Sequence, residues 1–136
     1  MYQKIIIIGN LGRDPEMRYL PNGKAVTNLN VASNRVFNDS QGQKVTETTW
    51  FRVTAWGAMG ENCNQYLTKG RLVYIEGRLN PDPVTGGPKI FTNDGGKAGA
   101  SYEVTADLVK FLSGRSEAQT AAGGFSDGVD EDDIPF

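Results

Sequence analysis

Trp50, Arg52 and Trp56 stand at alternate positions of one extended stretch, residues 45–56, in company with Thr46, Thr48 and Thr54. In a strand, side chains at every second residue share a face. Two indoles would therefore flank a guanidinium on one side of the same strand. Flat π-surfaces beside a fixed cation are what stacking of unpaired bases next to a neutralised phosphate requires. The interleaved residues, Val45, Thr49, Phe51, Val53 and Ala55, read as the core side, with Glu47 the exception near the start. A lone aromatic is more often a core residue than a ligand contact, but this alternation carries Trp50 and Trp56 away from Phe51 and Val53.

Catalysis has little to work with. The chain has no histidine and a single cysteine, Cys63, which removes the commonest general base, the commonest metal ligand and zinc sites of the Cys/His kind. No motif places a Lys or carboxylate beside a Ser or Thr nucleophile. No enzyme activity, metal or cofactor is expected. Cys63 reads as a small packing residue, since no imidazole exists to activate it. An internal disulfide is impossible with one cysteine, and Ile5 to Ile8 is too short an apolar run for a signal peptide. No run approaches the roughly 20 apolar residues of a membrane helix, so a cytoplasmic protein is expected.

The net charge of −2 hides two populations of opposite sign. Residues 1–112 carry 13 Lys and Arg against 10 Asp and Glu, a net of +3, whereas residues 113–136 carry 1 against 6, a net of −5. A mildly basic body suits a polyanion. The last seven residues, Asp130, Glu131, Asp132, Asp133, Ile134, Pro135 and Phe136, are four carboxylates followed by an apolar, proline-stiffened tip. Adjacent like charges repel, and two apolar side chains bury too little surface to offset the entropy of ordering the segment. The tip reads as a protein-interaction element made for another protein's basic, partly apolar pocket; the plain alternative is a tail that only solubilises. A magnesium nuclease built on the four carboxylates would lack the fixed geometry of a two-metal site.

The elements that must position these residues follow from turn signals and alternation. Residues 2–10 are rich in Ile and end at Gly12 and Pro15, a buried strand and a turn. Pro21, Asn22 and Gly23 mark a second turn, residues 24–35 a second strand, and residues 38–43, with Gly42, a hairpin loop. The third strand is residues 45–56. Residues 58–69 form the one helix, with Met59, Cys63, Tyr66 and Leu67 on a shared face and Gly70 as its stop. Residues 71–79 alternate Val73, Ile75 and Gly77 against Tyr74, Glu76 and Arg78. Residues 80–100 hold five Gly and three Pro around Ile90 and Phe91, a long hairpin arm or loop. Residues 101–112 form the last strand. The expected fold is all-β: a five-stranded OB-fold barrel, residues 1–112, with one short helix between its third and fourth strands. A disordered linker over residues 113–129 and the acidic tip, residues 130–136, complete the organisation.

The stretches Ile8-Gly9-Asn10-Leu11-Gly12-Arg13-Asp14-Pro15-Glu16-Met17-Arg18-Tyr19, Pro21-Asn22-Gly23, Tyr66-Leu67-Thr68-Lys69-Gly70, Val73-Tyr74-Ile75-Glu76-Gly77 and Asp132-Asp133-Ile134-Pro135-Phe136 closely resemble the bacterial single-stranded DNA-binding proteins. The resemblance implies a homotetramer of OB-folds that wraps single-stranded DNA without sequence preference, protects it and recruits replication, recombination and repair proteins through the tip. It implies stacking by Phe37, Trp50 and Trp56 and basic contacts by Lys4, Arg18, Arg52 and Lys69. A fourth aromatic that the family often carries in the arm between its last two strands is missing, and Val84 stands near its position. Phe91 either substitutes for it or packs against a neighbour. The alternative is an OB-fold module for RNA or for a primosome-type protein partner, since RNA offers the same π-faces and phosphates.

Overall fold

The computed structural model describes residues 1–112. The expected linker, residues 113–129, and the acidic tip, residues 130–136, lie outside the described residues. Seven strands and one helix run in the order β1 (Ile5–Leu11), β2 (Glu16–Tyr19), β3 (Ala25–Asn38), β4 (Lys44–Trp56), α1 (Gly57–Tyr66), β5 (Leu72–Leu79), β6 (Lys89–Thr92) and β7 (Ala98–Phe111).

Five of the strands make the barrel. Their order is β1-β5-β7-β4-β3, and a second pairing of β1 with β3 closes the ring. Every pairing is antiparallel except that of β4 with β7, where Arg52 lies opposite Glu103 and Val53 opposite Val104. These are the five expected strands, and the helix falls between the third and fourth of them, β4 and β5. The architecture is therefore the expected OB-like barrel.

Differences are local and have physical causes. β2 is a four-residue strand between the two turns that pairs with the start of β3, too short to show a period in the sequence. The Gly/Pro-rich arm is a hairpin: β6 pairs with Ala98 to Ser101 of β7, so the last strand starts three residues before its expected beginning. The helix ends at Tyr66 rather than Lys69, because Leu67 is extended and its N–H closes the last turn on the Cys63 carbonyl at 3.0 Å. Tyr66 does not join the buried face; it is exposed and tilts over Phe111, ring centroids 6.4 Å apart. In β4, Val53 and Ala55 are fully buried, but Val45 and Thr49 are only half-buried, because the β3–β4 ribbon runs on past the barrel wall.

The core is one cluster of inward side chains, among them Leu29, Val31, Val53, Val73, Ile75 and Val104, each fully buried. Helix α1 adds Cys63 to this cluster, and Leu67, the residue that follows the helix, adds a second side chain. Burial pushes the Cys63 thiol up to about 11, which suits packing and not nucleophilic attack. The buried Thr27 hydroxyl donates to the Gly60 carbonyl at 2.7 Å. That bond needs the helix close against the wall, and a Cβ at Gly60 would sit 2.4 Å from the Ala55 carbonyl oxygen. Gly60→Ala is accordingly expected to lift the helix and lower stability by about 1–3 kcal/mol, the usual cost of overpacking, read as a fall in the urea midpoint at unchanged m-value.

Candidate nucleic-acid interface

The sidedness of β4 is set by its uninterrupted pairing with β3, from Val26 opposite Trp56 to Asn38 opposite Lys44. Side chains directly opposite share a face, so Leu29 with Val53 builds the core while Ala32 with Trp50, Asn30 with Arg52 and Asn28 with Thr54 face outward. Trp50 is 54% exposed and Trp56 37%. Neither indole is a core residue. The parallel register with β7 extends the same outer face through Glu103 and Thr105, opposite Arg52 and Thr54, and the arm adds Lys89 and Phe91, opposite Ser101 and Gly99.

A cleft of about 280 Å³ opens on this face, lined by Arg18, Arg52, Trp56, Lys89, Phe91 and Glu103, with Val26, Asn28 and Thr54 at its floor. The fold thus brings Arg18, Arg52, Trp56 and Phe91 together from three separate strands. Phe91 both lines the cleft and packs: its ring lies over Gly99, where a Cβ would come 2.6 Å from Cζ. Lys24 holds its ammonium 5.2 Å from the centre of a Trp56 ring, a cation–π contact that leaves the other face of the indole to a ligand. Next to the cleft, Arg13 is held by Asn30, whose side-chain oxygen, with the amide turned to suit its neighbours, accepts from Nε at 3.0 Å and Nη2 at 2.6 Å.

Trp50 lies farther along β4, its ring over Gly12; a Cβ there would lie 2.5 Å from the indole Cζ3. The turn that carries Gly12 is tied to the segment after the helix, because Asp14 accepts the Lys69 backbone N–H at 2.8 Å and the Leu11 carbonyl accepts that of Gly70. Lys69 is exposed beside that turn, on the Trp50 side of the site.

Two expected contacts are placed apart. Phe37 is opposite Val45, which puts it on the core side of the ribbon and away from Trp50 and Trp56; it is half-buried under the Arg35 guanidinium, 4.4 Å from the ring centre, and Arg35 is fixed by Glu47 at 2.9 Å. Lys4 precedes β1 and pairs with Glu76 of β5 at 2.7 Å, with β7 between β5 and β4. The Glu76 carboxylate also accepts from the Tyr74 hydroxyl at 2.6 Å. Hydrogen bonding to Glu76, with its charge, raises the pKa of Lys4, and the bonds from Lys4 and Tyr74 lower that of Glu76. Both shifts favour the paired, charged state, which weakens as pH falls through the carboxylate range and again as pH rises through that of the lysine.

Lys24, Lys89, Glu103 and Arg13 were not singled out from the sequence. Lys89 is two residues before Phe91 and therefore on its face of β6, a signal available once the arm is known to be a strand. Among the described residues no group of three or more His, Cys, Asp or Glu is placed to hold a metal ion, and no helix is long and apolar enough to cross a membrane. The four carboxylates of the tip lie outside the described residues.

A family model described as the single-strand binding protein family matches residues 2–112. The chain is 45% identical over 114 residues to a single-stranded DNA-binding protein of Neisseria meningitidis serogroup A, covering 84% of this chain and 62% of that protein. It thus spans about three fifths of the length of that relative. It is 36% identical over 157 residues to single-stranded DNA-binding protein 1 of Chlorobaculum tepidum, covering 98% of this chain and 96% of the relative. Among solved structures, a deletion mutant of the single-stranded DNA binding protein from Thermus aquaticus superposes with a TM-score of 0.64 at 33% identity, covering 83% of this chain and 51% of that one. A small single-stranded DNA-binding protein from Streptomyces coelicolor superposes with a TM-score of 0.65 at 22% identity, covering 80% and 93%, and shares the fold.

The contact of Gly12 with the indole yields a test of the site's geometry. Gly12→Ala would push against the free end of the Trp50 ring and not against backbone, so the fold should persist, with circular dichroism unchanged, while the tryptophan emission maximum shifts as the ring is displaced.

Proposed function

This chain belongs to the single-strand binding protein family, and we propose that it binds single-stranded DNA without regard to sequence, as a binding protein and not an enzyme. One observation carries the proposal: Trp50, Arg52 and Trp56 share the outer face of a strand whose inner face is the core, and Arg18, Lys89 and Phe91 converge on the same face. A protein that must accept any sequence cannot depend on base edges. It needs π-faces, which every base offers, and cations, which every phosphate attracts. The strand path runs from Lys69 and Trp50 over Arg52 to the cleft of Trp56 and Phe91. Phe37, on the projecting ribbon, serves DNA that leaves the barrel face, and Lys4 is committed to its ion pair with Glu76.

The body's small positive charge favours pooling of several surfaces, and a homotetramer is the proposed assembly. Its support is the outer face of β1 and β5, where Ile6 is 57% exposed next to the Lys4–Glu76 pair. The tip, Asp130 to Phe136, is proposed to recruit replication, recombination and repair proteins, with Phe136 as an apolar anchor and the carboxylates adding an attraction that weakens with salt.

Trp50→Ala and Trp56→Ala should each weaken poly-dT binding by about 1–3 kcal/mol for each stacked base lost, with the circular dichroism spectrum unchanged. Full affinity in both variants would overturn the stacking assignment. Removal of residues 130–136 should leave poly-dT affinity unchanged or raised, because a competing anion is lost, and should abolish co-purification of replication and repair proteins. Undiminished recovery of those proteins would show that the tip does not recruit them.

A further inference from the structure

The cation-rich cleft contains one carboxylate, Glu103, which sequence-independent binding does not explain. A negative group on a phosphate path weakens binding to every sequence. Its simplest structural use would be an ion pair with Arg52, its neighbour in the parallel register. The ion pairs among the described residues are Lys4–Glu76, Arg13–Glu16, Arg35–Glu47 and Arg78–Asp107, apart from any made by Arg71. Glu103 and Arg52 form none.

The carboxylate is nonetheless held in place. Ser101 Oγ donates to its Oε2 at 3.0 Å, and the Asn80 backbone N–H donates to the Glu103 carbonyl at 2.7 Å. Among the described residues no donor reaches Oε1, which leaves that oxygen for a ligand in the cleft. Trp56 and Phe91 line the same cleft without touching each other; the ring pairs among the described residues are Phe51–Tyr102 and Tyr66–Phe111. At about 280 Å³ the space is near the lower limit for small-ligand pockets, which suits one base and not an extended stack.

We propose, building on the single-stranded DNA reading, that Glu103 makes this cleft a base-selective subsite favouring amino-bearing bases over thymine. A carboxylate oxygen accepts from the N4 amino group of cytosine or the N6 amino group of adenine. Thymine offers a single N3–H between two carbonyl oxygens, and these repel the carboxylate. The stacking rings hold whatever base enters, and Arg18, Arg52 and Lys89 hold its phosphates, so the preference is a bias at one position within otherwise indiscriminate binding.

The test measures affinities of the full chain for short dC and dT homopolymers, as the wild type and as Glu103→Gln, Glu103→Ala and Ser101→Ala. The ratio of dC to dT affinity cancels the general gain expected from removing a negative charge. It should fall by about fivefold in Glu103→Ala, the lower end of what a good base-edge contact discriminates. It should fall by a similar amount in Glu103→Gln, whose amide pairs with the N4–H and N3 of cytosine as readily as with the O4 and N3–H of thymine. Ser101→Ala, which frees the carboxylate without removing it, should give a smaller fall. Unchanged ratios in folded Glu103→Gln and Glu103→Ala, with both homopolymers still bound, would overturn the subsite and leave the single-stranded DNA reading standing. Failure of the wild type to bind either homopolymer would end both.

Discussion

A strand walled into a barrel can bury only one of its faces, and β4 shows how much follows from that. Val53 and Ala55 are drawn inside by the hydrophobic effect, and the period of two then forces Trp50, Arg52 and Trp56 outside. The ladder with β3 contains no bulge from Val26 to Asn38, so the phase of the core and the phase of the indoles cannot drift apart. A slip of one residue would bury both tryptophans and expose two core positions. The energy that keeps the rings in the open is therefore the burial energy of the residues between them, and no contact made by the rings themselves is needed to hold that phase.

Neighbouring strands add to this face what β4 cannot supply alone. β7 contributes Glu103, β2 contributes Arg18, and the short β6 brings Lys89 and Phe91 across the sheet. Charge is arranged with similar economy: Lys24 lies over Trp56 and Arg35 over Phe37, so two of the aromatic rings keep a cation at hand whether or not a polyanion is present. Lys4, in contrast, is neutralised by Glu76 on the far side of β7 from β4.

Much of this was legible in the sequence because it rests on local patterns. The alternation in β4, the helix between β4 and β5, and the separation of Val73 and Ile75 from Tyr74 and Glu76 all follow from side-chain period and turn residues. What escaped depends on partners distant in the chain. The cleft exists because Arg52 meets Glu103 in a parallel pairing, 51 positions apart, and no local period encodes that register. The side taken by Phe37 depends on how the Asp39–Gln43 turn sets the β3–β4 register; Gly42, at φ +79°, and the Asp39 carboxylate that caps the Gln41 and Gln43 N–H groups fix it. Tyr66 escaped for a different reason: it lies at the edge of the helix face that buries Gly60 and Cys63, and it turns outward against Phe111.

The same parallel pairing bears on how the molecule comes into being. β4 is complete by Trp56, but the strand that covers its free edge is not reached until Ala98, and β5 also waits for it. During synthesis, then, a ribbon carrying two tryptophans would sit with an unsatisfied backbone edge while some forty further residues are added. Ring closure requires long-range contacts whose entropy must be met late, which slows folding and exposes the edge to association with other chains. The charged side chains on that ribbon, Glu47 and Arg52, are of the kind that discourages such pairing, and on this account they guard the nascent chain as well as furnish the finished surface.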